Sequence, residues 1–500
     1  MGYELYICVI LSSKNEKSSR GRHTQHQNNI SPFKNKLYFC TCMESFEKYN
    51  HFFFVGIAGT GMSAIAQYLK GIGKEVSGSD RLFDSDTKML IQEQFEQQNI
   101  RCWFQDASGI RPEIDVVIIS TAIEESNIEL QKARSLGIPV MKRSELLSSI
   151  SGKKRTVAVG GTSGKSTTAA MIFHIMQSCG FEPSIMNGAG LSSLQKKGLP
   201  GNAWVGESDW LVIEADESDG SIVNYIPEIA VLLNIDRDHK EFDELFQLFQ
   251  AFKSNTKSKY IVNQSHPLSK QLSQNKKYDF GVDEVNIGFS GSDFEQKGFS
   301  ISFKCNEIPF HIPVIGKHNM ENALAAVAVC NAVGLSTEQC AEALRNYEGI
   351  YRRTQLVGEA NGICVIDDFA HNPAEIVCAI RACQSVGKRV FAWFQPHGYG
   401  PLKFFHKELI EEVLATLREN DYFILSDVYY AGGTVNKEVT SENVASEMQQ
   451  QNSRVLFFPD RKDMLPYLKQ NCRKGDVILI MGARDTTLSY FAKKDIHEIL

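Results

Sequence analysis

The densest chemistry in this chain lies between Val157 and Thr168. There an apolar strand pattern, Val157-Ala158-Val159-Gly160, runs into Gly161-Thr162-Ser163-Gly164-Lys165-Ser166-Thr167-Thr168. Glycines let successive backbone N–H groups turn toward an anion, and the helix that follows offers its positive end. Lys165 is spaced to reach terminal phosphates and Ser166 to ligate Mg²⁺, so the stretch reads as a cradle for ATP. The strict spacing wants glycine where Val159 stands, which makes this loop a shortened variant. Two acidic strand ends follow. Leu211-Val212-Ile213 opens into Glu214-Ala215-Asp216-Glu217-Ser218-Asp219, and a second apolar run opens into Asn234-Ile235-Asp236-Arg237-Asp238-His239. Carboxylates and an imidazole beside a phosphate loop suit Mg²⁺, whose hard charge prefers oxygen ligands and retained waters. Without that loop, such a cluster would read as a solvated turn.

These residues need strands and helices to present them, and the pattern supplies three wound segments. In the first, Phe52-Phe53-Phe54-Val55 reads as a buried strand followed by Gly56-Ile57-Ala58-Gly59-Thr60-Gly61 and a helix from near Met62 and Ser63. The order G-x-x-G-x-G is a weak nucleotide signal and leaves a nicotinamide-dependent dehydrogenase open. Asp80 ends the next strand, where it suits either a ribose or the cap of a helix. Ser120 and Thr121 follow a third strand on the same carboxyl edge, the edge at which wound sheets bind ligands. The second segment begins near Lys153. In the third, from about Gly349, strands at 363–366, 390–394, 422–425, 455–458 and 477–480 alternate with helical stretches at 375–385 and 408–417. The expected fold is α/β in three domains: an N-terminal Rossmann-like domain (49–150), a central P-loop ATPase domain with a mostly parallel sheet (151–347), and a C-terminal Rossmann-like domain (348–500).

Composition agrees with a globular chain. Five hundred residues suit roughly three domains, and 43% hydrophobic content is ample for separate cores. With 53 basic and 59 acidic residues the net charge is −6, which offers no general attraction to nucleic acid or an anionic membrane. Twelve scattered cysteines, such as Cys330 and Cys383 in apolar surroundings, read as reduced core residues of a cytoplasmic protein. Cys40-Thr41-Cys42 lacks zinc-site spacing, and no apolar run is long enough for membrane insertion. Residues 1–48 are polar and aperiodic in the main, and we expect a disordered leader without signal or myristoylation features, with Met43 as an alternative start.

Taken together, the motifs resemble the Mur ligase family of ATP-dependent amide ligases, over about 90% of the chain from roughly His51 onward. The resemblance rests on the phosphate loop, the two acidic strand ends, Gly316-Lys317-His318-Asn319-Met320-Glu321-Asn322-Ala323, Arg352-Arg353, and Asp367-Asp368-Phe369-Ala370-His371-Asn372-Pro373. Residues 56–66 and 77–80 are most similar to the alanine-adding branch. The resemblance implies that Gly161 to Thr167 hold the ATP phosphates, that Ser166 and Glu214 ligate one Mg²⁺, and that His239, with Glu214, ligates a second. It places Asn319 and Asn322 near adenine, Arg353 at the γ-phosphate and Asp368 at the ribose or in domain closure. His371 and the Gln395-Pro396-His397 turn would lie by the incoming amino acid. Gly56, Gly59, Gly61, Met62, Ser63, Asp80, Ser120 and Thr121 would bind a UDP-sugar. The implied reaction phosphorylates a carboxylate to an acyl phosphate, which the amine of L-alanine or a relative attacks. The acceptor would be UDP-N-acetylmuramate or another UDP-muramoyl compound, and the enzyme a monomer or weak homodimer.

The chain departs from that branch where Arg-Tyr-Thr-Arg is usual, having Gly398-Tyr399-Gly400-Pro401 instead. Both arginines are absent, so a substrate carboxylate must be recognised differently, with Lys403 a candidate cation. Ser163 and Asn372 stand where histidines are common, and Lys253, where sister ligases carry a carbamylated lysine, reads as surface. A ligase for another amino acid and a nucleotide-binding regulator therefore stay open beside the alanine ligase.

Overall fold

The computed structural model describes residues 45–83, 88–236, 240–429, 438–485 and 487–499. The proposed leader up to residue 44 and the candidate ligand His239 lie outside them. Just after Ser45, Phe46–Lys48 form a 3-10 turn whose Phe46 is buried together with Tyr49.

The N-terminal sheet is wholly parallel, in the order Arg101–Phe104, Glu75–Asp80, His51–Val55, Val116–Ile119, Val140–Lys142. His51–Val55 sits at its centre because Phe52 to Val55 are apolar on both faces, and all four are fully buried. The chain leaves this strand to one side and later returns to the other, which opens a crevice at its carboxyl end.

The central sheet has six strands in the order Lys259–Val262, Ile229–Leu232, Arg155–Gly160, Trp210–Glu214, Ser184–Met186, Ala203–Trp204, and only the last pair is antiparallel. This order explains the clustering of the motifs. Arg155–Gly160, which feeds the phosphate loop, lies between the two strands that end in acids, with Val159 opposite Glu214 and Gly160 opposite Leu232. The helix Lys165–Ser178 buries Met171, Ile172, Ile175 and Met176 against this sheet, about 1.5–3 kcal/mol for each. A second helix, His318–Val333, packs beside it through an alanine-rich face. Phe280–Val282, Phe289–Lys297, Ser300–Cys305 and Ile308–Ile312 add a small, mostly antiparallel sheet.

The C-terminal sheet runs Gln355–Ala360, Ile363–Asp368, Val477–Met481, Val390–Phe394, Tyr422–Leu425, Val455–Phe457, parallel except for its first pair. Three α/β units with mainly parallel sheets are the architecture the sequence leads one to expect.

Candidate active site

Gly161 and Gly164 have φ of +139° and +85°, and a Cβ on Gly164 would stand 2.5 Å from Asn322 Oδ1, so side chains are excluded where the loop turns. Lys165 Nζ donates to Gly161 O at 2.7 Å and pairs with Glu217 Oε2 at 3.0 Å. Burial works against its charge, but Glu217, Asp216 and Glu214 outweigh it and raise the ammonium's pKa. Burial likewise pushes the Asp216 carboxyl up, yet Lys165 and the Ser218 N–H hold it below the usual range. Asn234 shapes the loop by accepting from Ser163 N at 2.8 Å and Thr162 Oγ1 at 2.9 Å. One Glu214 oxygen accepts from Gly188 N, while Asn187 Nδ2 donates to Ser166 O at 3.3 Å.

Between the central and C-terminal sheets lies a cleft of about 240 Å³. Ser163, Gly164, Ser166, Thr167, Asn319, Asn322, Arg353 and Asp368 line it, together with Glu375 and His318. Asn322 Oδ1 accepts from Thr168 Oγ1 at 3.2 Å and Asn322 Nδ2 donates to Asn319 Oδ1 at 3.1 Å, which ties both amides to the loop helix. Arg353 lies 5.1 Å from the centre of the Phe369 ring. Asp368 accepts from Thr354 N and Ala370 N at 2.6 and 2.7 Å, and burial, only partly opposed by Arg353, drives its pKa up to about 6. Glu375 shows the reverse balance. Burial raises its pKa, but His371 at 3.0 Å and Arg353 draw it down to about 2. Its other oxygen accepts from Ser163 Oγ at 3.3 Å, so one carboxylate joins His371 to the phosphate loop. Burial, reinforced by Arg353, lowers His318 to about 4.

The N-terminal loop has another geometry. Gly56 has φ of +80°, and Gly59 and Gly61 carry the chain into Thr60–Gly71. Asp80 faces inward, its carboxylate accepting from Ala58 N at 2.9 Å and Leu82 N at 3.0 Å, so it braces this loop. Ser63 is buried, donating to Thr60 O and accepting from Asn202 Nδ2, and the Met62 side chain is buried as well. Gly59 and Thr121 are exposed, and Ser120 is half-buried. Arg143 crosses this site: a Cβ on Gly61 would meet its Nη1 at 2.3 Å, and its Nη2 reaches Asp219 at 3.3 Å. Lys253 is half-buried in the helix Phe242–Asn255. Lys403 pairs with Glu438, so it is already engaged in this conformation.

Arg143, Asn187, Glu217, Asn234 as a loop brace, and Glu375 were not singled out as site residues from sequence. Glu217 and Asn234 lie inside the sequence motifs and Glu375 two residues beyond one, so their position alone is a signal. Arg143 and Asn187 had none.

Residues 51–155 match the family description "Mur ligase family, catalytic domain", 159–330 match "Mur ligase middle domain", and 352–484 match "Mur ligase, glutamate ligase domain". The UDP-N-acetylmuramate–L-alanine ligase of Pelotomaculum thermopropionicum is 34% identical over 462 residues, 88% of this chain and 96% of that protein. The chain belongs to the Mur ligase family. As a Mur ligase it is an ATP-dependent, amide-forming enzyme of peptidoglycan precursor synthesis, which sets aside the oxidoreductase and regulator readings. The ligase of the same name from Geobacter sp. (strain M21) is 35% identical over 449 residues, 86% of this chain and 94% of its own. The Mur ligase fold is also seen in the Thermotoga maritima UDP-N-acetylmuramate–alanine ligase, at a TM-score of 0.73 and 23% identity, with 90% of this chain and 98% of that one covered. A murein peptide ligase from Psychrobacter arcticus has a TM-score of 0.65 at 21% identity, covering 90% and 97%. Among the described residues no helix is long and apolar enough to cross a membrane.

Proposed function

We propose that this Mur ligase joins L-alanine or a related amino acid to the carboxylate of UDP-N-acetylmuramate, or of a related UDP-muramoyl acceptor, in the cytoplasm. The observation that carries the reading is the link Ser163–Glu375–His371, which sets the phosphate loop beside the C-terminal turn in one cleft. The N-terminal glycine loop, with Arg143 over Gly61, supplies cationic cover for the diphosphate of the acceptor.

Lys165 and the loop N–H groups would receive the ATP phosphates, with Lys165 exchanging Glu217 for the nucleotide. Asn319 and Asn322 would face the base and Arg353 the terminal phosphate. The donor set fits Mg²⁺: Ser166 lines the cleft, Glu214 is partly open, and Asn187 Oδ1 is buried without a hydrogen-bond partner among the described residues. Ser166 and Glu214 would hold the ion, with His239 the further candidate. Bound there, Mg²⁺ would offset charge on the transferring phosphoryl group. His371, oriented by Glu375, would take the proton that the amine loses on attacking the acyl phosphate. Closure of the cleft would keep water from that intermediate.

The test is phosphate release across a matrix of amino acids and UDP-sugar acceptors. Release that needs ATP, a UDP-muramoyl acceptor and an amino acid together is the expected result. Release indifferent to the acceptor would overturn the reading.

A further inference from the structure

The C-terminal sheet carries three turns side by side at its carboxyl edge. Val477–Met481 lies between Ile363–Asp368 and Val390–Phe394, so the turn 482–485 is flanked by the turns bearing His371 and His397. The two outer turns bring those imidazole rings to 5.1 Å between centroids. On the middle turn stands Arg484, exposed, with φ of +63°. A residue with a Cβ enters that region only at a cost, so its surroundings must hold it there. They do. Gly482 O accepts from Arg352 Nη2 at 2.7 Å, and the Asp485 carboxylate accepts from Gln395 Nε2 at 3.0 Å and Arg461 Nη1 at 2.9 Å.

Four other cations near this edge have partners among the described residues. Arg352 is bound to Asp367, Arg461 to Asp485 and Lys403 to Glu438, while Arg353 stacks on Phe369 in the nucleotide cleft. Arg484 makes no side-chain hydrogen bond or ion pair among the described residues. Positions 398 and 401 hold glycine and proline, so neither offers a guanidinium.

We propose that Arg484 binds the α-carboxylate of the incoming amino acid. This rests on the ligase reading above and names the residue that selects the substrate. A guanidinium presents two parallel N–H donors to a carboxylate, and its place between two histidine turns would aim the substrate amine into the cleft.

The test compares the unmodified enzyme with Arg484→Gly and Arg484→Lys, using each amino acid and its α-carboxamide. Glycine suits the backbone here, so Arg484→Gly should fold with an undiminished Tm. Its KM for the amino acid should rise about tenfold to a hundredfold, with KM for ATP and for the acceptor unchanged. The preference for the carboxylate over the carboxamide should disappear, and Arg484→Lys should fall between. Turnover of Arg484→Gly with unchanged amino-acid KM and unchanged discrimination would overturn this inference alone. No turnover by the unmodified enzyme with any amino acid and acceptor would overturn the ligase reading and this inference with it.

Discussion

At the scale of single residues, the site is governed by charges that burial makes expensive and neighbours make tolerable. Lys165 shows how this changes an expectation. From sequence its work is on phosphate alone, but here it pairs with Glu217, which is 2% exposed. Removing one member of a buried pair leaves the other uncompensated, at a cost of about 3–5 kcal/mol. Lys165→Ala should therefore lose turnover and also melt lower, while Lys165→Ala with Glu217→Gln should regain the melting temperature and not the activity. Equal melting of the single variant and the unmodified chain would show that the pair does not hold the loop. Glu129 makes a separate prediction about pH. It is fully buried with Ser79 Oγ donating to it at 2.5 Å, and burial lifts its pKa to about 7. A folded-state pKa above the unfolded one favours the protonated form. The contribution of Glu129 to stability is then fully present below about pH 4.5 and is lost as pH rises toward 7, by up to about 3 kcal/mol. Glu129→Gln should remove that component from a plot of unfolding free energy against pH, and an unaltered plot would contradict it.

At the scale of elements, the legible parts were those whose signal is local. The strand feeding the phosphate loop and the strands ending in acids stand out because apolar runs meet glycine or carboxylates within a few residues. The helix Tyr399–Thr416 was read only from 408, because Gly398, Gly400 and Pro401 look like a turn. Pro401 falls in the first turn, where no intrahelical N–H bond is lost. The staples between elements were illegible, since Arg143 meets Asp219 and Ser163 meets Glu375 across 76 and 212 residues. Gly398 also corrects an experiment that sequence suggests, the restoration of arginine there. Its φ is +88°, whereas a Cβ on Gly400 meets nothing within 4 Å. Gly398→Arg should lose about 1 kcal/mol or more of stability and Gly400→Arg almost none, as thermal melts would show. Equal melts would mean that the turn is not held in this form.

At the scale of the whole molecule, the N-terminal domain is fastened to the central one by a buried polar lock. Asn202 donates to Ser63 Oγ at 2.6 Å and Thr60 O at 2.8 Å and accepts from Gln67 Nε2 at 2.7 Å. The residues just before the first strand belong to this body, since Lys74 Nζ donates to Tyr49 O at 2.7 Å and Phe46 is buried. A chain begun at Asn50 should therefore melt below one begun at Met43, the loss of Phe46 and Tyr49 being about 1.5–3 kcal/mol each. Coincident melts would contradict that packing. The central claim is that three domains meet to pass phosphate from ATP to a carboxylate and then exchange it for an amine. The most direct measurement starts from a UDP-muramoyl acceptor labelled with ¹⁸O in its carboxylate and follows the label during turnover with ATP and an amino acid. An acyl phosphate requires one labelled oxygen to leave on each inorganic phosphate released. Unlabelled phosphate, formed at the same rate as the amide, would contradict the account.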